Sequence, residues 1–262
     1  MPGHRHTLSL VLLLALALPA TGAAQDALEL GTRAMDRFDL PSARRHLEDA
    51  VRAEPGSYEA NWRLAYVLLD LGKQTPEEEK DPVRDSLYVE AESYARRATA
   101  AKADGADGYF VLANAVGRTS LTKGKKERIQ HAVEIRNAAR RAIELDPRHD
   151  GAYHVLGRWH AEIQRLSSLQ RFFAKNFMGA SIFNEASWSE AERLLRLAVE
   201  LRPQWIYHRL DLAEILIDRG KWQEAKVQLD AIAALPALEP MDAAYKQQAK
   251  VLATKVARKL PA

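Results

Sequence analysis

The chain has 262 residues, of which 47% are apolar and 28% charged, and it contains no cysteine. This composition supports a packed core and argues against a largely disordered chain. The lack of cysteine excludes disulfides, thiol catalysis and Cys-ligated zinc. A formal net charge of +3 is too close to neutral to favour a nucleic-acid partner.

Residues 1–24 have the pattern of a secretory signal peptide. Arg5 stands in a short polar start, residues 10–18 are uninterrupted apolar, and small residues follow Pro19. The apolar run is shorter than the ~20 residues of a membrane-spanning helix. We therefore expect cleavage near Ala24 and an exported chain, periplasmic or secreted; the alternative is an uncleaved N-terminal anchor.

Three segments share one spacing pattern around Pro55, Pro147 and Pro203. Small or apolar residues stand 12, 8 and 5 positions before each proline, and a Leu-Gly or Leu-Ala pair begins nine positions after it. In chain order these positions hold Ala43, Leu47, Ala50 and Leu64-Ala65; Ile135, Ala139, Ala142 and Leu156-Gly157; Ala191, Leu195, Ala198 and Leu212-Ala213. Such spacings place residues on one helix face, and proline ends a helix. The pattern predicts units of two antiparallel helices in close contact at their small residues.

The same register predicts two further units, which contain Leu30-Gly31 and Leu112-Ala113. A repeated Leu-Gly/Ala pair, alanines in the second helix and a closing proline resemble tetratricopeptide repeats. This resemblance implies an all-α, right-handed superhelix of about five helix pairs over residues 25–237. We expect residues 238–262 to form a C-terminal capping helix, because lysine and glutamine side chains can solvate the open end of a solenoid.

Residues 152–179 carry a narrower resemblance. Their Leu-Gly-Arg-Trp core, followed by a long helical continuation, resembles the regulator of microtubule dynamics family, which has a tetratricopeptide-like fold. The microtubule role of that family is not carried over, because an exported chain would not meet cytosolic tubulin. No tubulin-binding residues are identifiable in the sequence.

The three middle units contain insertions between their first and second helices, at about residues 72–86, 118–128 and 165–187. All three are expected along one edge of the solenoid, and insertions on one face often mark a binding surface. The first is charged and broken by proline, which is typical of a solvated loop. The second insertion contains four cationic side chains, namely Lys123, Lys125, Lys126 and Arg128. Either these side chains belong to the solvated start of a helix, or they contact an anion.

The third insertion holds four of the six phenylalanines. Helical spacing places Leu166, Leu169, Phe173 and Phe177 on one face, beside Phe172. Two interpretations stay open. The insertion folds over its own solenoid, or it is an interaction element for a partner or a membrane surface.

The resemblance to tetratricopeptide repeats also implies which side chains face the concave groove. In the last four units, the positions two before and two after the first residue of the pair hold Trp62, Tyr66, Phe110, Asn114, His154, Arg158, Leu210 and Glu214. Some members of the family bind peptide carboxylates through asparagine and basic side chains. Asn114 and Arg158 occupy similar positions, although the other members of that clamp are missing.

We therefore expect an extended or helical peptide in the groove. Trp62, Tyr66 and Phe110 would make apolar contacts with it, and Arg158 a charge contact. In the alternative, these aromatic residues belong partly to the core and Arg158 pairs with an acidic neighbour such as Glu162.

No catalytic or phosphate-binding motif occurs in the sequence. His149, His154 and His160 are spaced by five and six residues, so they do not share a helix face for metal binding. The sequence therefore predicts a non-catalytic protein- or peptide-binding scaffold of the cell envelope, without cofactor or metal. The alternative is a peripheral membrane-surface protein that uses the Phe-rich insertion as an interfacial helix.

Overall fold

The computed structural model describes residues 20–75, 80–167 and 181–260, together with residues 170 and 172. All secondary structure in these ranges is helical. The α-helices are α1 (Ala20–Asp36), α2 (Leu40–Ala53), α3 (Tyr58–Lys73), α4 (Pro82–Ala101), α5 (Ala106–Thr119), α6 (Lys125–Leu145), α7 (Asp150–Arg165), α8 (Trp188–Leu201), α9 (Ile206–Asp218), α10 (Trp222–Ala234) and α11 (Asp242–Ala257). Two 3₁₀ helices span Ser120–Thr122 and Ser181–Glu185.

The helices pack as consecutive antiparallel pairs. The five pairs are α1/α2, α3/α4, α5/α6, α7/α8 and α9/α10, and α11 packs on α9 and α10. This arrangement confirms the predicted all-α solenoid. Residues 1–19, which make up most of the predicted signal peptide, lie outside the described residues, so the leader stays a prediction.

The closing prolines act as the sequence predicted. Helices α2, α6 and α8 each end two residues before their proline, at Ala53, Leu145 and Leu201. The residue between the end of each helix and its proline has left the helical conformation, with ψ between 74° and 98°. This departure follows from the steric clash that proline imposes on the residue before it.

Glycines of the Leu-Gly pairs let the two helices of a unit approach closely. A Cβ on Gly157 of α7 would lie 2.9 Å from Leu195 Cγ of α8, and one on Gly31 of α1 would lie 2.7 Å from Leu47 Cγ of α2. Leu47 and Leu195 occupy the same place in the repeat, eight residues before the proline. Both are fully buried, which confirms the predicted close contact.

The structure divides the third insertion between core and surface. Helix α7 ends at Arg165, and Leu166 packs half-buried against the core. Phe172 is 55% exposed, whereas Phe183 is buried with its ring 6.2 Å edge-on from Trp159. Phe183 and Leu166 therefore cover the solenoid. The other members of the predicted apolar face, Leu169, Phe173 and Phe177, lie outside the described residues.

In the part of the chain that the structure describes, no helix is both long enough and apolar enough to cross a bilayer.

Candidate functional site: a central cleft

A cleft of about 170 Å³ lies at the centre of the solenoid. Five of the predicted groove residues line this central cleft, namely Tyr66, Phe110, Asn114, His154 and Arg158. Further lining side chains that the repeat register did not predict are Lys73, His149, Asp150, Arg202, Trp205, Tyr207 and His208. Side chains of units two and five face the same space, so the concave surface is a pocket bounded on several sides.

Three predicted groove residues lie elsewhere. Trp62 is half-buried and its Nε1 donates a hydrogen bond to Glu59 Oε2 at 3.0 Å. Leu210 is fully buried in the core. Glu214 is half-buried, and its Oε2 lies 3.8 Å from Arg158 Nη1. The prediction fails in unit five because the N-terminal turn of α9, rather than its middle, faces the cleft.

Aromatic rings form one wall of the cleft. The ring centroids of Tyr66 and Phe110 are 6.3 Å apart, and those of Phe110 and His149 are 4.7 Å apart. The Phe110 ring lies against the backbone of α7, where a Cβ on Gly151 would come within 2.6 Å of it. The absence of a side chain at Gly151, near the start of α7, therefore lets the Phe110 ring lie close to the helix backbone.

Arg158 is held by its own chain. Its Nη1 donates a hydrogen bond to Asp211 Oδ1 at 2.7 Å, and its Nη2 donates one to Glu162 Oε1 at 3.3 Å. Asp211 is only 2% exposed, and its second carboxylate oxygen lies 2.8 Å from His154 Nε2. Burial opposes ionisation of Asp211, but Arg158 and His154 outweigh it and hold the pKa of that carboxyl well below its usual range. Arg158 thus pairs internally, with Asp211 as well as with Glu162.

Two histidines join this ion pair to the far side of the cleft. His208 Nδ1 lies 2.8 Å from His154 Nδ1, and His208 Nε2 lies 2.8 Å from Asp150 Oδ2. An ionised carboxylate only accepts hydrogen bonds, so His208 Nε2 carries the proton and His208 Nδ1 accepts from His154. Burial lowers the pKa of His208 to about 4, so this imidazole is neutral at pH 7.

The repeat pattern predicts only part of this polar network. His154 and Arg158 were predicted from the register, but Asp150, His208 and Asp211 fall outside it. Its pairings span 53 to 58 residues of sequence. Only the packing of α7 against α9 brings these groups together.

The neutral state of the buried His208 imidazole can be tested by measuring stability at several pH values. Between about pH 6.5, where an unfolded histidine titrates, and pH 4, the unfolded chain binds a proton that the folded chain does not. Stability is therefore expected to fall as the pH falls through this window, with His208 contributing up to about 1.4 kcal/mol per pH unit. Urea unfolding of the natural chain and of His208→Gln at several pH values measures the difference in slope. Equal slopes in the two proteins would contradict this assignment.

Comparison with known proteins assigns the family. Residues 25–257 match the family described as regulator of microtubule dynamics protein 1-3. The chain belongs to this family. It is 25% identical to regulator of microtubule dynamics protein 3 of Rattus norvegicus over 73% of this chain and 40% of the relative. It is 29% identical to regulator of microtubule dynamics protein 1 of Mus musculus over 55% of this chain and 46% of the relative.

The chain thus spans less than half the length of these family members. Among solved structures, the tetratricopeptide protein TTC0263 of Thermus thermophilus aligns with a TM-score of 0.62 at 20% identity, over 87% of this chain and 98% of that one. PilF of Pseudomonas aeruginosa aligns with a TM-score of 0.54 at 14% identity, over 92% and 91%. The predicted family and fold are confirmed, and the central cleft is a feature of a tetratricopeptide-like member of the regulator of microtubule dynamics family.

Proposed function

We propose that this chain is a non-catalytic scaffold of the cell envelope that binds a protein or peptide in the central cleft. The observation that carries the proposal is the cleft itself, to which four successive units contribute side chains. Tyr66 and Phe110 supply apolar contact area. Among the described residues, no protein group hydrogen-bonds the side-chain amide of Asn114, so this amide can donate to and accept from a ligand.

The size of the cleft favours an extended segment. A helix with its side chains is ~10 Å across, whereas a space of about 170 Å³ holds only a few side chains. An extended strand of a partner, or a few side chains that project from its surface, therefore fit better than a complete helix. Arg158 contributes to the wall of the cleft, but its charge is already matched by Asp211.

Capture of a partner from envelope extracts tests the proposal. Residues 25–262 serve as bait beside the double variant Phe110→Ala/Asn114→Ala. Truncation of a hot-spot contact at the centre of an interface lowers affinity by about tenfold or more, so the variant should lose the partner while its helicity is unchanged. Asn137→Ala is the matched control, because Asn137 is exposed on α6 outside the cleft. Equal capture by all three proteins would refute a cleft-bound partner.

The third insertion is proposed as an accessory element of the same site. It follows Arg165, whose Nη2 lies 2.6 Å from Asp218 Oδ2 at the C-terminal end of α9. A deletion should remove residues 168–180 and keep Phe183, because Phe183 is part of the core. Loss of the captured partner on this deletion is the expected result. Full retention would assign the insertion a purely structural role.

A second candidate function is that of a peripheral membrane-surface protein. Exposed apolar side chains near cationic side chains favour it. Leu121 is 49% exposed between α5 and α6, and Phe172 is 55% exposed in the equivalent connection of the next unit. Lys123, Lys126 and Arg128 are exposed beside Leu121. Flotation of residues 25–262 with vesicles containing anionic lipid separates the two functions, since only the membrane candidate predicts co-flotation.

A further inference from the structure

A second, smaller pocket adjoins the central cleft. It measures about 30 Å³ and shares Tyr66, Lys73, Trp205 and Tyr207 with the cleft. Its remaining wall includes Asp70, Glu239 and Tyr245. We name it the acidic aromatic pocket. The connection between α10 and α11 carries Glu239, so this segment closes the pocket opposite α3.

The carboxyl groups at this pocket are only partly paired within the chain. Asp70 Oδ1 lies 2.8 Å from Lys73 Nζ, which makes one complete ion pair. Asp242 Oδ2 accepts hydrogen bonds from the backbone N–H groups of Leu238 and Glu239, both at 2.9 Å. Glu239 Oε1, by contrast, is buried and accepts no hydrogen bond among the described residues. Three carboxyl groups therefore stand near one ammonium and one guanidinium.

The guanidinium of Arg202 favours ionisation of Glu239, but it contacts Trp205 and Asp150. Arg202 lies over the ring of Trp205, with its Cζ 3.5 Å from the ring centroid. Its Nη1 is 3.8 Å from Asp150 Oδ2. Burial, with the charges of Asp70 and Asp242, raises the pKa of Glu239 to about 8. A group that resists ionisation in this way would be stabilised in its charged form by an added cation.

Aromatic rings line the pocket beside these carboxyl groups. Tyr207 and Tyr245 stack with centroids 4.8 Å apart and planes at 14°. Tyr66 already has the ammonium of Lys73 at 5.9 Å from its ring centroid. Rings of tyrosine and tryptophan attract cations through their negative faces, and a neighbouring carboxylate adds a direct charge contact.

We propose that the acidic aromatic pocket binds the ammonium group of a lysine side chain from the partner segment that occupies the central cleft. The assignment rests on the proposed function for its source of lysine. A space of about 30 Å³ suits a group of the size of a water molecule or an ammonium. Because the two pockets share a wall, a segment in the cleft can extend one side chain into the smaller pocket.

Small blocked amino acids test this assignment without a partner. The probes are N-acetyl-lysine methylamide, its norleucine counterpart, its arginine counterpart and tetramethylammonium. Nitrogen-15 NMR of the chain follows the indole N–H of Trp205. We expect the lysine probe to shift this signal saturably, the norleucine probe to leave it unchanged, and the arginine probe and tetramethylammonium to bind at least fivefold more weakly.

Variants locate the site. Glu239→Gln removes a carboxylate that makes no hydrogen bond to a described residue through Oε1, and it is expected to weaken the lysine probe at least fivefold. Tyr245→Leu provides a second variant that removes one ring. Glu200→Gln on α8 is the matched control, because Glu200 is exposed and does not line the pocket.

Equal binding of the lysine and norleucine probes, or unchanged binding to Glu239→Gln, would overturn the assignment. Stronger binding of tetramethylammonium than of lysine would also overturn it in favour of a choline-type head group. Failure of the lysine probe while a partner is captured through Asn114 refutes this inference alone. Binding of the lysine probe without any captured partner supports the cation site and refutes the scaffold.

Discussion

Replacing Arg158 by methionine is expected to lower the free energy of unfolding by about 3 kcal/mol, because it removes the partner of a buried carboxylate. Asp211 is 2% exposed and takes the Arg158 Nη1 hydrogen bond at 2.7 Å. Without the guanidinium, this carboxylate keeps only its contact with His154, so its charge must be left poorly paired or be neutralised. Urea unfolding followed by circular dichroism measures the loss.

A control variant and a double variant show whether the loss of stability comes from the pair of Arg158 with Asp211. Arg141→Met is the control, because Arg141 is exposed and pairs with Glu144 at 3.3 Å, and such surface pairs contribute about 0.2 to 1 kcal/mol. The double variant Arg158→Met/Asp211→Leu should recover part of the loss, since no buried carboxylate then remains unpaired. A loss below 1 kcal/mol for Arg158→Met would show that this pair does not organise the cleft.

Gly157→Ala is expected to destabilise the fold by about 2 kcal/mol, because the α7/α8 contact has no room for a methyl group. The added Cβ would lie 2.9 Å from Leu195 Cγ and 3.2 Å from the carbonyl oxygen of Ala191. Both neighbours are fully buried in the core, so α7 and α8 would have to separate. The midpoint and slope of urea unfolding measure the change.

Gly117→Ala is the matched control and should have the opposite sign. Gly117 also lies within a first helix, α5, but a Cβ there would meet only Ile135 Cδ1, at 3.9 Å. Alanine in a helix interior is favoured over glycine by about 0.5–1 kcal/mol. Stabilisation by both substitutions would show that Gly157 is not required for the packing of its unit.

The fold could be predicted from the sequence because its main determinants are local. Pro55, Pro147 and Pro203 end helices through the geometry of their own rings. The close contact of Gly157 with Leu195 repeats that of Gly31 with Leu47, and such repetition is visible in a single sequence. These rules act within one unit, so they hold wherever the unit recurs.

The site was less predictable because it depends on how the units stack. The register predicted Tyr66, Phe110 and Asn114, which line the cleft, but it also predicted Leu210, which is buried in the core. The facing of Tyr66 and Tyr207 arises from the curvature of the whole array, to which each interface contributes a small rotation. No motif in the sequence encodes the total of these rotations.

The charge pairing between units could not be predicted from the sequence either. Glu162 is four residues from Arg158 and was an obvious partner by helical spacing. The shorter contact is made to Asp211, 53 residues away. A local pattern cannot indicate which distant carboxylate will be buried beside a guanidinium.

Site-specific photo-crosslinking tests most directly whether the central cleft holds the partner. An aromatic photoreactive amino acid replaces Tyr207, which lines the cleft, in one protein, and exposed Asn137 on α6 in a second. Both are irradiated in envelope extract, and adducts are separated by mass. A discrete adduct from position 207 and none from position 137 is the expected result. An adduct from position 137 alone, or none from position 207 while a partner still co-purifies, would contradict binding in the cleft.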